Sequence, residues 1–305
     1  MYLALQHTLR FRYSQPVFLE PMQLRLRPRS DGSQQVESFR LEVSPGPAGW
    51  SESVDLHGNA VSQIWFDELH DGLTLAASCY VRTRRENPFD FLLEHDAQQL
   101  PMTLDFEHAR VLAAFLDAGD IRPEVAEFAE TIARENDRRP LDTALGLARS
   151  ISERFDWTTR PSGPPWRPEE TLDRGEGSCR DLTVLYLACA RKLGLPSRFV
   201  SGYQHQRPDD AKARPSEDAS HSLHAWAEVF LPGAGWRGID PSAGILTADH
   251  HIAVSAAPGP VGTMPTEGSF RGTEATSDLE TSIRIEPVDE PDEEATPGEV
   301  LAEAV

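Results

Sequence analysis

Three side chains in this sequence have the types needed for nucleophilic acyl transfer: Cys179, His224 and Asp240. A thiol attacks a carbonyl as the thiolate. An imidazole takes its proton and later returns it to the leaving amine, and a carboxylate holds the imidazole's tautomer and orientation. Cys179 sits in Gly175-Glu176-Gly177-Ser178-Cys179-Arg180-Asp181, ahead of an apolar run to Leu193. This reads as a tight turn that opens a helix. Ser178 is an N-cap, and Asp181 three residues on completes the Ser-x-x-Asp form of a capping box. Leu182, Leu185, Tyr186, Cys189 and Leu193 recur at helical spacing, and Gly194 with Pro196 ends the run. Cys179 therefore falls in the first turn, where unpaired N–H groups and the positive end of the helix dipole favour an anion. A thiol so placed can have its pKa lowered from about 8.5 to roughly 3.5–7.5. The local pattern alone fits a small buried core cysteine equally well.

The second informative stretch runs from His224 to Pro241. It reads as a β-hairpin with its turn at Pro232-Gly233-Ala234. If Phe230 pairs with Trp236, the constant pairing sum of an antiparallel ladder sets Asp240 opposite Trp226. His224 and Trp226 share a face, so Asp240 becomes the diagonal neighbour of His224, roughly 7–8 Å away between backbones. A carboxylate can span that gap to an imidazole. A one-residue slip would put the two on opposite faces. The backbone N–H of Cys179 is a ready oxyanion donor, because amides at a helix start have no internal partner.

Other elements must position these three. Residues 1–86 read as strands separated by turn residues, an antiparallel β-sandwich; Leu3–Tyr13, Met22–Arg29, Phe39–Val43, Val61–Phe66 and Leu73–Val81 are the candidates. Cys79 in the last of these reads as core. Residues 87–106 are a connector. Helical spacing then covers Glu107–Ala118, Pro123–Asn136 and Leu141–Phe155, which should pack around the helix of Cys179. The Thr158–Pro168 loop carries Trp166, either a wall of a substrate cleft or a packing anchor. Ser197–Tyr203 reads as a strand, and Gln204–Ser220 as a long polar loop. Cys189 reads as inert core, and His250 and His251 as structural or solvated. His221-x-x-His224 invites a metal reading, but residues three apart on a strand face opposite sides and a third ligand is not visible. The core thus spans 107–252. Residues 253–285 read as a loop, over 253–272, followed by a strand at Leu279–Ile285 that closes a sheet. Residues 286–305, acidic with no basic residue, read as a disordered tail.

Composition narrows the partners. The net charge of −20 argues against nucleic acid and anionic membrane surfaces and permits polypeptide substrates. Three cysteines without metal-type spacing suggest neither a disulfide framework nor a zinc site. The N-terminus lacks a signal-peptide pattern, and no apolar run is long enough to span a membrane, so a soluble, reducing, cytoplasmic setting is the default expectation.

The motifs together resemble one family. Gly-Ser-Cys179-Arg-Asp181, the following Leu-Gly-Leu-Pro-Ser-Arg-Phe-Val-Ser-Gly-Tyr203, and His224-Ala-Trp226-x-Glu228 with Gly-Trp236 and Asp240-Pro241 are similar to the bacterial transglutaminase-like family of candidate cysteine proteases. Residues 1–86, Asn87-Pro88-Phe89-Asp90-Phe91 and His251-Ile252 resemble its flanking regions. The resemblance implies an α+β, papain-like core: a thiol-bearing helix packed on an antiparallel sheet. It implies Cys179 as nucleophile, His224 as base and Asp240 as its orienting acid, with no cofactor or metal. Trp166, Tyr203 and Trp226 are candidate substrate contacts. The expected reaction is thioester-mediated transfer or hydrolysis of a glutamine-type or peptide amide. The competing expectation is a catalytically inactive peptide-binding or scaffold module on the same fold.

Overall fold

The computed structural model describes residues 1–95, 98–160, 162–205 and 223–290. Six strands come first: β1 Tyr2–Leu19, β2 Met22–Leu24, β3 Gln34–Ser44, β4 Gly49–Val54, β5 Ala60–Trp65 and β6 Leu69–Thr83. They form the expected antiparallel sandwich, completed by strands from the far end of the chain. One sheet runs β3–β6–β1, and the other β4–β5–β2. Leu9, Val17, Leu19, Leu24, Ile64, Phe66, Leu73 and Leu75 fill the space between them. β4 has no clear signal in Gly-Trp-Ser-Glu-Ser-Val, because nearly all of it is exposed and nothing enforces alternation.

The helices follow: α1 Phe106–Val111, α2 Ala113–Leu116, α3 Pro123–Glu135 and α4 Pro140–Arg154. The single helix expected over Glu107–Ala118 is thus two short ones meeting at Leu112. Next come β7 Asp156–Trp157, α5 Pro168–Arg174, β8 Glu176–Gly177 and α6 Cys179–Lys192. α5 begins at the last residue of the Thr158–Pro168 loop and covers residues to which the sequence reading assigns no element. It starts on Pro168 and ends on Gly175 in the left-handed region at φ 66°, the Pro-first, Gly-last asymmetry of short helices.

A third antiparallel sheet holds β9 Ser197–Gln204, β10 Leu223–Leu231, β11 Gly235–Asp240, β12 Ile245–Leu246 and β13 His251–Ala257, in the order β12–β11–β10–β9–β13. Phe230 pairs with Trp236 and Ala227 with Ile239, the register the hairpin spacing predicts. Ala225, Ala227, Val229 and Leu231 face the helices. There they join Val125, Ile132, Ala148, Ile151, Leu182, Leu185 and Tyr186 in one core. No helix among the described residues is long and apolar enough to cross a membrane.

The expectation of a loop over 253–272 is corrected. β13 is buried at every position and pairs with β9. Its run of small residues shows no alternation because both of its faces are covered. β14 Thr266–Glu267 and β15 Phe270–Arg271 then add to the two sheets of the sandwich. β16 Ser277–Val288 lies along β1 from Tyr2↔Val288 to Tyr13↔Ser277. The expected closing strand is therefore real and reaches three residues into the acidic segment; residues 291–305 lie outside the described residues. The sandwich and the helical core meet where Leu3, Leu5, Cys79, Val81, Ile283 and Ile285 pack on Tyr203, Ile252 and Val254.

Candidate active site

Cys179 is the first residue of α6, half-buried at its N-terminus, with Ser178 as N-cap. Asp181 ties this turn down. Its carboxylate, fully buried, accepts from the Ser178 N–H at 2.9 Å, the Ser178 hydroxyl at 2.5 Å and the Trp166 N–H at 2.7 Å, and pairs with Arg160. Burial works against its charge. The bonds from Arg160, Ser178 and Trp166 outweigh that and hold it below the usual carboxylate range. Arg180, beside the thiol, donates to the carbonyls of Arg160 at 2.7 Å and Ser162 at 3.0 Å. The segment carrying Trp166 is thereby strapped across the helix start.

Thr183, one turn past Cys179, joins this helix to the sheet. Its hydroxyl reaches the Cys179 carbonyl at 2.7 Å and the Ala225 carbonyl at 3.2 Å. The start of α6 is thus fixed against the start of β10, next to His224. Strand alternation turns Ala225 toward the helix and His224 to the other face. The imidazole therefore lies on the face of β10 away from α6, at the strand end to which Thr183 ties the helix.

His224 is buried, and its Nε2 lies 2.7 Å from Asp240 Oδ2. The diagonal placement expected from the hairpin delivers this contact. Asp240 is fully buried. Its Oδ1 accepts from the Ser242 N–H at 2.9 Å, the Ser242 hydroxyl at 2.7 Å and the Ala243 N–H at 3.3 Å. Its Oδ2 has a second imidazole, His251 Nε2, at 3.3 Å. Desolvation opposes the carboxylate charge, but the two histidines hold its pKa well below the ordinary value. Trp226 lies under both rings, tilted against His224 at 5.9 Å and edge-on to His251 at 5.1 Å. Gly202 makes room for it: a Cβ there would overlap the Trp226 ring and the Ile252 carbonyl.

Two family profiles match this chain. The bacterial transglutaminase-like N-terminal region matches residues 3–82, and the transglutaminase-like superfamily core matches residues 126–241. The second holds all of Cys179, His224 and Asp240. Residues 126–241 form a transglutaminase-like core. An uncharacterized protein of Mycobacterium leprae is 25% identical over 280 residues, covering 92% of this chain and 96% of its own length. One from Mycobacterium tuberculosis is 28% identical over 290 residues, 92% of this chain and 91% of the relative. A solved structure from Cytophaga hutchinsonii, titled as a candidate cysteine protease, superimposes with a TM-score of 0.68 at 15% identity over 97% of this chain and 95% of that one. At that identity the likeness speaks to the fold.

Within this transglutaminase-like core the remaining sequence expectations divide. Trp226 is 1% exposed, so it is a floor for the two imidazoles, not a substrate contact. Tyr203 is also withdrawn. Its hydroxyl meets His7 Nδ1 at 2.9 Å inside the junction with the sandwich, because at its position β9 turns that side chain toward β1. Trp166 is partly exposed between the guanidinium groups of Arg160 and Arg174, 4.2 and 4.4 Å from its ring. It remains on the rim beside α6, so both readings given for it still stand. Of the two readings given for His251, structural or solvated, the first holds: it is buried on Asp240, a contact that no spacing rule predicts. His221 lies outside the described residues. The ligand-type atoms of His224, Asp240 and His251 fall within 4.8 Å of one another, and hydrogen bonding to one carboxylate oxygen accounts for that approach. Cys189 is enclosed among apolar groups, and burial pushes its thiol up to about 12. Burial raises Cys79 further. Neither of these two can supply a thiolate near neutral pH.

Proposed function

We propose that this protein transfers or hydrolyses acyl groups of glutamine-type or peptide amides through Cys179, His224 and Asp240. Cys179 Sγ attacks the amide carbonyl carbon, and the proton it gives up passes to His224. The C–N bond breaks as His224 returns that proton to the departing amine, leaving a thioester on Cys179. Water or a second amine then attacks the thioester, losing its proton to His224, and the thiolate leaves. Asp240 keeps the imidazole proton on Nε2, so the lone pair of Nδ1 is the base. Substrates are expected to be polypeptides or small amides, and the acidic surface disfavours nucleic acid.

The observation that carries this reading is the fully buried His224–Asp240 pair at the end of the strand to which Thr183 binds the helix of Cys179. Iodoacetamide mapping by mass spectrometry tests it. Cys179 should alkylate at about pH 6 well before Cys79 and Cys189, since only a thiolate reacts. Peptide amides supplied with a primary amine should give product in wild type and none with Cys179→Ala. Equal sluggishness at all three thiols would instead favour the inactive binding module.

A further inference from the structure

The His224–Asp240 pair has a third member that the acyl-transfer scheme does not use. His251, from β13 on the opposite edge of the sheet, aims Nε2 at the same Oδ2 that holds His224. We propose that His251 is a positioning residue, sharing one carboxylate oxygen with His224 and thereby setting how firmly Asp240 holds the His224 imidazolium. This rests on the reading of Cys179, His224 and Asp240 given above and adds to it a control on the base.

The chemistry follows from what each atom can do. A carboxylate oxygen only accepts, so a nitrogen held against it carries a proton. Both imidazoles are therefore Nε2–H tautomers when neutral. Oδ1 is occupied by Ser242 and Ala243, which leaves Oδ2 alone to serve the two rings. One negative charge divided between two donors attracts each less than it would attract one. His251 thus weakens the pull of Asp240 on a proton at His224 and brings the imidazolium pKa down toward the range where it can also act as acid.

The trio is rigidly held. Trp226 packs edge-on to His251 and tilted to His224, and the two imidazoles are 6.0 Å apart between centroids. The ionisable groups facing His251 include His224 from β10, Asp240 from β11 and its neighbour His250. The His250 ring lies 4.4 Å from that of His251 and its Nδ1 is 3.7 Å from Asp249. Asp249 can stabilise charge on His250, and as a carboxylate it has no proton to donate to Asp240 Oδ2.

The test is the pH profile of Cys179 alkylation in wild type, His251→Phe and His251→Gln. Gln carries a donor nitrogen at a reach close to that of Nε2; Phe fills the space without one. In His251→Phe the upper step, loss of the imidazolium beside the thiolate, should move up by about one pH unit, the size of one lost hydrogen bond to a charged group. His251→Gln should keep that step close to wild type. A packing role would change the melting temperature of both variants without separating their profiles. An upper step in folded His251→Phe that coincides with wild type overturns the proposal. Should that variant fail to fold, the wild type decides. Long-range nitrogen–proton NMR at neutral pH should show protonated Nε2 on both histidines, and an unprotonated Nε2 on His251 overturns it. If Cys179 of wild type shows no early thiolate at all, the acyl-transfer reading fails first, and the two failures are told apart by that control.

Discussion

At the scale of single residues the decisive group is Asp240. It is enclosed, ionised and fully hydrogen-bonded, so replacing it leaves donors without an acceptor and His224 without a fixed tautomer. Asp240→Asn should keep the fold and lower turnover by about 10³–10⁴-fold, as loss of the tautomer-fixing acid does in comparable triads. The check is kcat measured beside an unchanged near-UV circular dichroism spectrum. Its stability effect has a definite sign. The folded pKa is depressed, so the stabilisation is fully present above the unfolded value of about 3.9 and is lost as pH falls through the folded value below it. His7 acts in the same direction but in a higher pH window. Burial lowers its pKa from 6.5 to about 4, so the unfolded chain binds a proton the folded chain refuses. Stability should then decline from about pH 6.5 down to pH 4, by about 3 kcal/mol at most, and decline no further from this group below that. Melting curves of wild type and His7→Gln across this window should converge as pH falls, and parallel curves would refute the assignment.

At the scale of elements, α6 matters because both ends of its first turn are tied. The Ser178–Asp181 bonds close the turn, Arg160 and Arg180 strap the preceding loop over it, and Thr183 binds it to β10. Thr183→Val keeps shape and removes the hydroxyl. It should cost about 1–2 kcal/mol in denaturant unfolding and slow Cys179 alkylation at pH 6 by more than that destabilisation explains, because the helix start is no longer fixed beside His224. Asp181→Asn should cost more, about 3 kcal/mol, since it leaves Arg160 partly buried without its counter-charge. Urea unfolding of the pair of variants ranks the two ties.

At the scale of the whole molecule, the last described strand returns to the first. β16 runs along β1 for its full length, and β1 also pairs with β6, so the first strand is central to its sheet only because the last described strand covers it. Ending the chain before Ser277 would expose the edge of β1 and uncover Leu3 and Leu5 beside Ile283 and Ile285. Such a truncation should aggregate or expose apolar surface to dye binding. Through the junction it should also loosen β9 and β13, which carry Gly202 and His251. The sandwich therefore supports the sheet of β9–β13, joined to it by Tyr203, His7 and the apolar contacts around Cys79.

How much of this was legible beforehand follows from which forces are local. The capped turn at Ser178, the apolar spacing of α6 and the hairpin register at Phe230↔Trp236 depend on neighbours a few residues away, so the sequence by itself determined the helix of Cys179 and the diagonal of His224 and Asp240. β4, α5 and β13 were hidden for three different reasons: an exposed edge lacks alternation, a short helix lacks a periodic stretch, and a strand covered on both faces reads as small apolar residues without pattern. Tyr203 and Trp226 could not be assigned a depth, because burial depends on what packs above them. Only the tertiary structure decided that His251 meets Asp240, that Thr183 joins helix to strand, and that β16 returns to β1. Each of these joins segments far apart in the chain, and such contacts are selected by the packing of the whole and leave no periodic trace in the residues that make them.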